Sequence, residues 1–124
     1  MRDVFSPSES PAGVPLRVLL VEDSNADAKL LQRALVSEFP HAQPTVVKSA
    51  GALQRALAQP EPWSLVLSGF QLRALSGLDA LQMVRAHDPG LPFIFVSGVI
   101  GEENVVDLLK AGATDYVSRQ RLQR

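Results

Sequence analysis

Short apolar runs alternate with longer stretches of helical periodicity along most of the chain. Most of these runs are bounded by turn-forming or charged residues and are rich in valine, isoleucine, leucine or phenylalanine, and the last of them, at residues 114–117, is more polar. Five runs predict strands, at residues Leu16–Val21, 45–47, 65–67, 92–96 and 114–117. They lack the strict apolar–polar alternation of a half-exposed strand, which favours burial on both faces of a parallel sheet.

Helical segments separate these strands, and their starts carry recognisable capping residues. Ser24 with Asp27, and Ser76 with Asp79, have the spacing of a capping box, while Ser49 is a third candidate N-cap. The predicted third helix has an apolar side made of Leu78, Leu81 and Val84. A fourth helix is expected from about Glu102 to Ala111, with Gly112 as its C-terminal stop.

The order of elements predicts an α/β domain with a doubly wound parallel sheet. The connections are too long for hairpins, so helices should cover both faces of the sheet. Five strands in this length favour a flavodoxin-like arrangement with strand order 2-1-3-4-5. Residues 1–15 are rich in serine, proline and glycine and are expected to form a flexible leader before a folded domain at 16–124. The sequence ends at Arg124, where a fifth helix would begin, so that helix is expected to be truncated or missing.

Composition narrows the classes of function. The chain has 124 residues and a formal net charge of −1, which fits one globular domain without an electrostatic drive toward nucleic acid. It has no cysteine, which excludes a thiol nucleophile and a thiolate metal site. No signal peptide or membrane-spanning run is visible, so we expect a cytoplasmic domain with neither nucleic acid nor membrane as partner.

The residues that follow the predicted strands carry the candidate chemistry. Because the carboxyl ends of parallel strands face one crevice, five residues should meet there: Glu22, Asp23, Gly69, Ser97 and Arg119. Adjacent carboxylates such as Glu22 and Asp23 are a recognisable way to hold Mg²⁺. At the tip of the central strand stands Gly69, which has no side chain.

Three segments together resemble the receiver domain of bacterial two-component response regulators. They are LRVLLVEDSNADAKLLQRAL, SLVLSGFQLRALSGLDAL and PFIFVSGVIGEENVVDLLKAGATDYVSR, and the resemblance runs from about residue 16 to residue 119. The fourth loop and fifth strand are particularly similar to receivers found in or beside sensory kinases. The resemblance implies a CheY-like fold and signalling by phosphorelay.

The resemblance also implies roles for individual residues. Glu22 and Asp23 correspond to the acidic pair that helps bind Mg²⁺, Ser97 to the hydroxyl switch, and Tyr116 to the aromatic switch of the fifth strand. The family's phosphoacceptor aspartate falls on Gly69 and its lysine on Arg119, so both are changed.

These departures predict a pseudo-receiver without phosphoacceptor chemistry. Glycine supplies no nucleophile and removes a metal ligand, so Mg²⁺ binding should be weak or lost. Neighbouring Ser68 is expected to point away from the crevice, because successive strand side chains alternate. Since a guanidinium stays charged and fits carboxylates, Arg119 is expected to pair with Asp23 or Glu22 and to lock the crevice in one state.

We expect a protein partner and no enzymatic reaction. A histidine kinase domain, an output domain or a second copy would dock on the surface that commonly carries the family's output, which here includes Val106, Lys110, Tyr116 and Arg119. Two alternatives remain open. One is a working receiver whose aspartate at position 69 was replaced during cloning, and the other is a small flavodoxin-like nucleotide-binding enzyme.

Overall fold

Strands and helices alternate through the computed structural model, which describes residues 16–70, 72–97 and 102–118. The strands are β1 Leu16–Val21, β2 Ala42–Val47, β3 Leu65–Ser68, β4 Phe93–Ser97 and β5 Asp115–Ser118. The helices are α1 Asn25–Glu38, α2 Ala50–Leu57, α3 Gly77–His87 and α4 Glu102–Lys110. Within these residues the five strands form one parallel sheet of order β2-β1-β3-β4-β5, which confirms the predicted topology.

The interior strand β1, which pairs with β2 on one side and β3 on the other, shows why its sequence is apolar without a break. Leu19 and Val21 pack into the core cluster on one face of the sheet, and Val18 and Leu20 into the cluster on the other. All four are 0% exposed. Successive side chains of the strand point to opposite faces of the sheet, so the apolar side chains pack into two cores, as expected for a parallel strand covered on both faces.

The helices divide between the two faces. Leu53 of α2, Leu81 of α3 and Leu108 of α4 belong to one core cluster. Leu31 and Leu35 of α1 belong to the other. Helices on both faces were predicted from the long β-to-β connections, and the described elements confirm this.

Helix starts follow the capping residues. The hydroxyl groups of three serines accept an N–H three residues on: Ser24 from Asp27 at 3.3 Å, Ser49 from Ala52 at 3.1 Å and Ser76 from Asp79 at 3.0 Å. These bonds satisfy N–H groups that have no partner inside the helix. The stop at Gly112 is also confirmed, because its φ of +116° is a conformation that favours glycine.

Several predicted boundaries were wrong by small amounts. β2 begins at Ala42, three residues earlier than predicted, and includes Pro44. Proline is tolerated there because β2 is at the edge of the sheet. β3 runs one residue further than predicted, and β4 and β5 are each shifted by one residue toward the C-terminus.

The predicted inward face of α3 was wrong at Leu78, which is 38% exposed. The buried residues of this helix are Gly77, Ala80, Leu81 and Val84. Leu78 follows Gly77 by one position, which rotates its side chain by about 100° from the buried stripe.

Two expectations lie outside the described residues: the leader at residues 1–15 and the missing fifth helix after β5. Among the helices that are described, none combines the length and apolar character that crossing a membrane requires.

Candidate functional site

The carboxyl ends of β1 and β3 bring the first site residues together. Val21 lies opposite Ser68 in the sheet register, so Glu22 and Gly69 follow paired positions. The Gly69 N–H donates to the Val21 carbonyl at 3.0 Å. The predicted meeting of these two strand ends is therefore observed.

Glu22 is a buried carboxylate, with only 6% of its surface exposed. Its N–H donates to the Val47 carbonyl at 3.1 Å, which fixes the backbone beside the end of β2. Its Oε2 accepts the Ser24 N–H at 3.2 Å, just before α1. Burying an ionised carboxylate is costly unless it is hydrogen-bonded, and this bond to the amide offsets part of that cost.

The space beside Gly69 is filled by its neighbours. A Cβ atom built on Gly69 would lie 2.7 Å from Glu22 Oε1 and 2.8 Å from Leu72 Cδ2. Both distances are shorter than any normal contact, so the ends of both side chains must move before any larger residue fits. The carboxylate of Glu22 thus lies too close to the position that the Cβ atom of an aspartate at residue 69 would take.

Asp23 is directed to the loop that connects β3 to α3. Its Oδ2 accepts the N–H of Arg73 and, at 3.3 Å, the N–H of Ala74. This carboxylate connects the start of α1 to a loop fifty residues away in sequence, a contact that no sequence pattern predicts. Such a contact depends on how two distant segments of the backbone pack together, so the sequence of either segment alone does not predict it.

The described side chains offer few oxygen ligands for Mg²⁺, which is octahedral and keeps several waters when only one or two carboxylates bind it. Within the described ranges no group of three histidine, cysteine, aspartate or glutamate residues is close enough to hold a metal ion. Glu22 and Asp23 supply two carboxylates, and each already accepts backbone N–H groups. With glycine at position 69, the third carboxylate is missing.

Ser68 does not offer a substitute nucleophile. Its side chain is 0% exposed, and its Oγ donates to the Gly69 carbonyl at 2.8 Å. The hydroxyl is therefore enclosed by the protein, and its direction relative to the crevice stays a prediction.

The remaining predicted site residues are described only in part. Ser97 is the last residue of β4 and pairs with Ser118, which puts its backbone at the same edge of the sheet. Tyr116 pairs with Phe95 and packs, partly buried, against the core cluster shared with α2 and α3. The side chain of Ser97 and the whole of Arg119 lie outside the described residues, so the pairing of Arg119 with the acids stays a prediction.

Replacing Asp23 by alanine is expected to loosen the loop between β3 and α3. Two N–H groups lose their acceptor, and because they lie near solvent the cost should be about 1 kcal/mol in the free energy of unfolding. Hydrogen exchange should speed up at Arg73 and Ala74, while Asp107→Ala, which changes an exposed carboxylate on α4, should leave both amides unchanged. Unchanged exchange at Arg73 and Ala74 in the Asp23→Ala variant would contradict this role.

Comparison with known proteins identifies the family. The model of the response regulator receiver domain matches residues 18–123. The chain is 26% identical over 117 residues to the chemotaxis protein CheY of Treponema pallidum (strain Nichols), covering 94% of this chain and 81% of that protein. It is 30% identical over 107 residues to the probable transcriptional regulatory protein TcrX of Mycobacterium tuberculosis, covering 86% of this chain. The chain spans only 44% of the length of TcrX.

Solved structures agree on the fold. The Mn²⁺-bound form of response regulator Rcp1 superposes with a TM-score of 0.71, covers 88% of this chain and 90% of its own, and is 22% identical. That likeness concerns the fold, and the metal is a property of Rcp1. Since the family model matches nearly the whole described domain, the chain belongs to the response regulator receiver domains of two-component signal transduction.

Proposed function

We propose that this domain is a pseudo-receiver, which signals by binding a protein partner and does not depend on its own phosphorylation. The observation that supports this most directly is the glycine at the acceptor position, with the Glu22 carboxylate occupying the space beside it. The proposal assigns no enzymatic reaction to the chain.

Phosphorylation by the family's route needs a carboxylate nucleophile in the crevice, and the described residues offer a poor substitute for it. Gly69 has no side chain. The Ser68 side chain is buried, and its hydroxyl donates a hydrogen bond to a backbone carbonyl. A carboxylate attacks phosphorus readily, whereas a serine hydroxyl requires a general base to activate it. Glu22 is itself a carboxylate, but it is 6% exposed and accepts the N–H of Ser24, which argues against its use as the acceptor.

The metal-dependent part of the family's chemistry is weakened for the same reason. In receivers the metal ion neutralises charge on the transferring phosphoryl group. Here Asp23 is held by the amides of Arg73 and Ala74, and recruiting it to an ion would break those bonds. We therefore propose that Mg²⁺ binds weakly or not at all under cellular conditions.

Arg119 is proposed to add charge compensation to the acidic pair. The hydrogen bonds from Arg73 and Ala74 both use Oδ2 of Asp23, so we propose Oδ1 as the oxygen that accepts from Arg119. A guanidinium offers the planar fork that suits a carboxylate. A high-resolution structure with the Arg119 guanidinium beyond hydrogen-bonding distance of both Glu22 and Asp23 would contradict this pairing.

The proposed docking face is the outer side of α4 together with β5. Val106 is 49% exposed and Leu109 is 42% exposed, and Lys110 beside them is also exposed. Val106 and Leu109 are three positions apart on α4, so they share one side of the helix, and contiguous exposed apolar residues are a mark of interaction sites. Receiver domains interact with histidine kinases and output domains, so we propose one of these, or a second copy of the chain, as the partner.

The proposal is tested by incubating the chain with Mg²⁺ and acetyl phosphate and measuring its intact mass. A receiver that retains its acceptor aspartate serves as the positive control. We expect a phosphorylated mass for the control and an unmodified mass for this chain. A stoichiometric phosphoryl adduct on this chain, whichever residue carries it, would overturn the proposal.

A further inference from the structure

Arg85, in the last turn of α3, makes three hydrogen bonds at the edge of the sheet opposite the candidate site. Its Nε donates to the Gly112 carbonyl at 2.9 Å, and its Nη1 donates to the Leu91 carbonyl at 2.6 Å and the Asp88 carbonyl at 3.3 Å. The side chain is partly buried. One guanidinium therefore joins the turn after α3 to the turn after α4.

All three acceptors are backbone carbonyl oxygens, and two of them belong to helix ends. Asp88 is the C-cap of α3, and Gly112 follows the last turn of α4. The carbonyls at a helix C-terminus lack partners within the helix and carry the negative end of its dipole. A cation that bridges two such ends stabilises both.

The turn at Gly112 fits closely around this side chain. A Cβ atom on Gly112 would lie 3.3 Å from Arg85 Nε, in a backbone conformation that already favours glycine. Immediately beyond it, the Ala113 N–H donates to the Leu108 carbonyl at 3.1 Å, and the Thr114 N–H donates to the Phe93 carbonyl at 2.7 Å. The contact with Arg85 thus lies at the point where the chain leaves α4 and enters β5.

We propose that Arg85 is a positioning residue that anchors the C-terminal end of α4 and holds the outer face of this helix in one orientation. A guanidinium suits this task because its rigid fork reaches acceptors on two sides, whereas the ammonium of a lysine is a single point charge. The consequence for partner docking rests on the proposed function, but the anchoring itself does not.

Hydrogen exchange tests the anchor in the whole chain. In Arg85→Met, which keeps an unbranched apolar stem, the amides of Gly112 and Ala113 should exchange at least tenfold faster relative to the β1 amides than in the natural chain. Arg33→Met, which changes an exposed arginine on α1, is the matched control and should alter neither group of amides. Acceleration by one common factor at all amides, or no acceleration at Gly112 and Ala113, would overturn the proposal.

A conservative variant distinguishes the contribution of the planar guanidinium geometry from that of the positive charge. Arg85→Lys keeps the positive charge between the two helix ends but cannot reproduce the fork. We expect exchange at Gly112 and Ala113 to remain faster than in the natural chain. Natural rates in Arg85→Lys would show that charge alone suffices and would contradict the proposed anchor.

Spin labels test the orientation of α4 directly. The chain has no cysteine, so Ser37→Cys on α1 and Val106→Cys on α4 introduce the only two labelling sites, on opposite faces of the sheet. We expect the distribution of nitroxide distances to broaden when Arg85→Met is added and to stay unchanged with Arg33→Met. An equally narrow distribution in both backgrounds would overturn the claim about α4. Because neither readout involves phosphate or metal, failure here is distinguishable from failure of the pseudo-receiver proposal.

Discussion

Replacing Gly69 by aspartate is expected to give the domain a Mg²⁺-dependent rise in melting temperature that the natural sequence lacks. The new carboxylate would stand beside Glu22 and Asp23 and complete a set of three oxygen donors. In metal-free buffer the same change should cost about 1–3 kcal/mol, since the added Cβ begins 2.7 Å from Glu22 Oε1 and brings like charges together.

The size of the metal effect follows from ligand binding to the folded state. At a Mg²⁺ concentration ten times the dissociation constant, the folded variant gains about 1.4 kcal/mol. For a domain of this size that corresponds to a rise of about 5 °C in melting temperature. Thermal unfolding with increasing MgCl₂, at constant ionic strength, measures it.

The matched control is Gly69→Asn, which adds nearly the same volume without a negative charge. It should share the steric cost of the aspartate variant but show no specific response to Mg²⁺. Equal Mg²⁺ responses in the aspartate variant, the asparagine variant and the natural chain would contradict the role assigned to position 69. A folded aspartate variant whose melting temperature does not change with Mg²⁺ would contradict it as well.

Replacing Gly77 by alanine is expected to lower the free energy of unfolding by about 2–3 kcal/mol. A Cβ atom at this first residue of α3 would lie 2.6 Å from Phe95 Cε1, 2.7 Å from the Gly69 carbonyl oxygen and 2.9 Å from Phe70 Cα. Two of these atoms are backbone and cannot rotate away, so the loop itself must shift. Chemical denaturation should show this loss, together with a melting temperature about 10 °C lower.

The comparison for this change is Gly51→Ala, at an exposed position in α2. There a Cβ atom meets only Arg55 Nη1 within contact distance, at 3.4 Å. Since alanine is favoured over glycine inside a helix, this variant should be more stable than the natural chain by about 0.5–1 kcal/mol. Effects of the same sign at Gly51 and Gly77 would contradict the close approach of the loop to α3.

Most of the fold could be predicted from the sequence because its signals are local. Ser24, Ser49 and Ser76 each mark a helix start through a contact that spans three residues, and the apolar runs mark buried strands. The error at Leu78 arose because an apolar residue in the first turn looks like part of the buried stripe, although the small residues Gly77 and Ala80 occupy that stripe. Local sequence patterns therefore predict the positions of helices and strands more reliably than they predict which side of a short helix is buried.

The candidate site could be predicted only as a set of neighbours. The strand ends indicated that Glu22, Asp23 and Gly69 would meet, and the structure brings Glu22 against Gly69. The bonds from Asp23 to the amides of Arg73 and Ala74 were not predicted, because backbone N–H groups are present at nearly every residue and carry no sequence signal. The contacts of Arg85 were missed for the same reason, as all its acceptors are carbonyl groups.

The central claim is that the natural crevice does not receive a phosphoryl group, and one NMR titration tests it most directly. Mg²⁺ is added to the unaltered chain, followed by beryllofluoride, which mimics a phosphoryl group on a carboxylate. We expect no saturable shift at the amides of Glu22, Asp23 and Gly69 at either step. Saturable Mg²⁺ binding at these residues, followed by a second set of shifts with beryllofluoride, would show that the crevice still receives phosphate and would contradict the pseudo-receiver proposal.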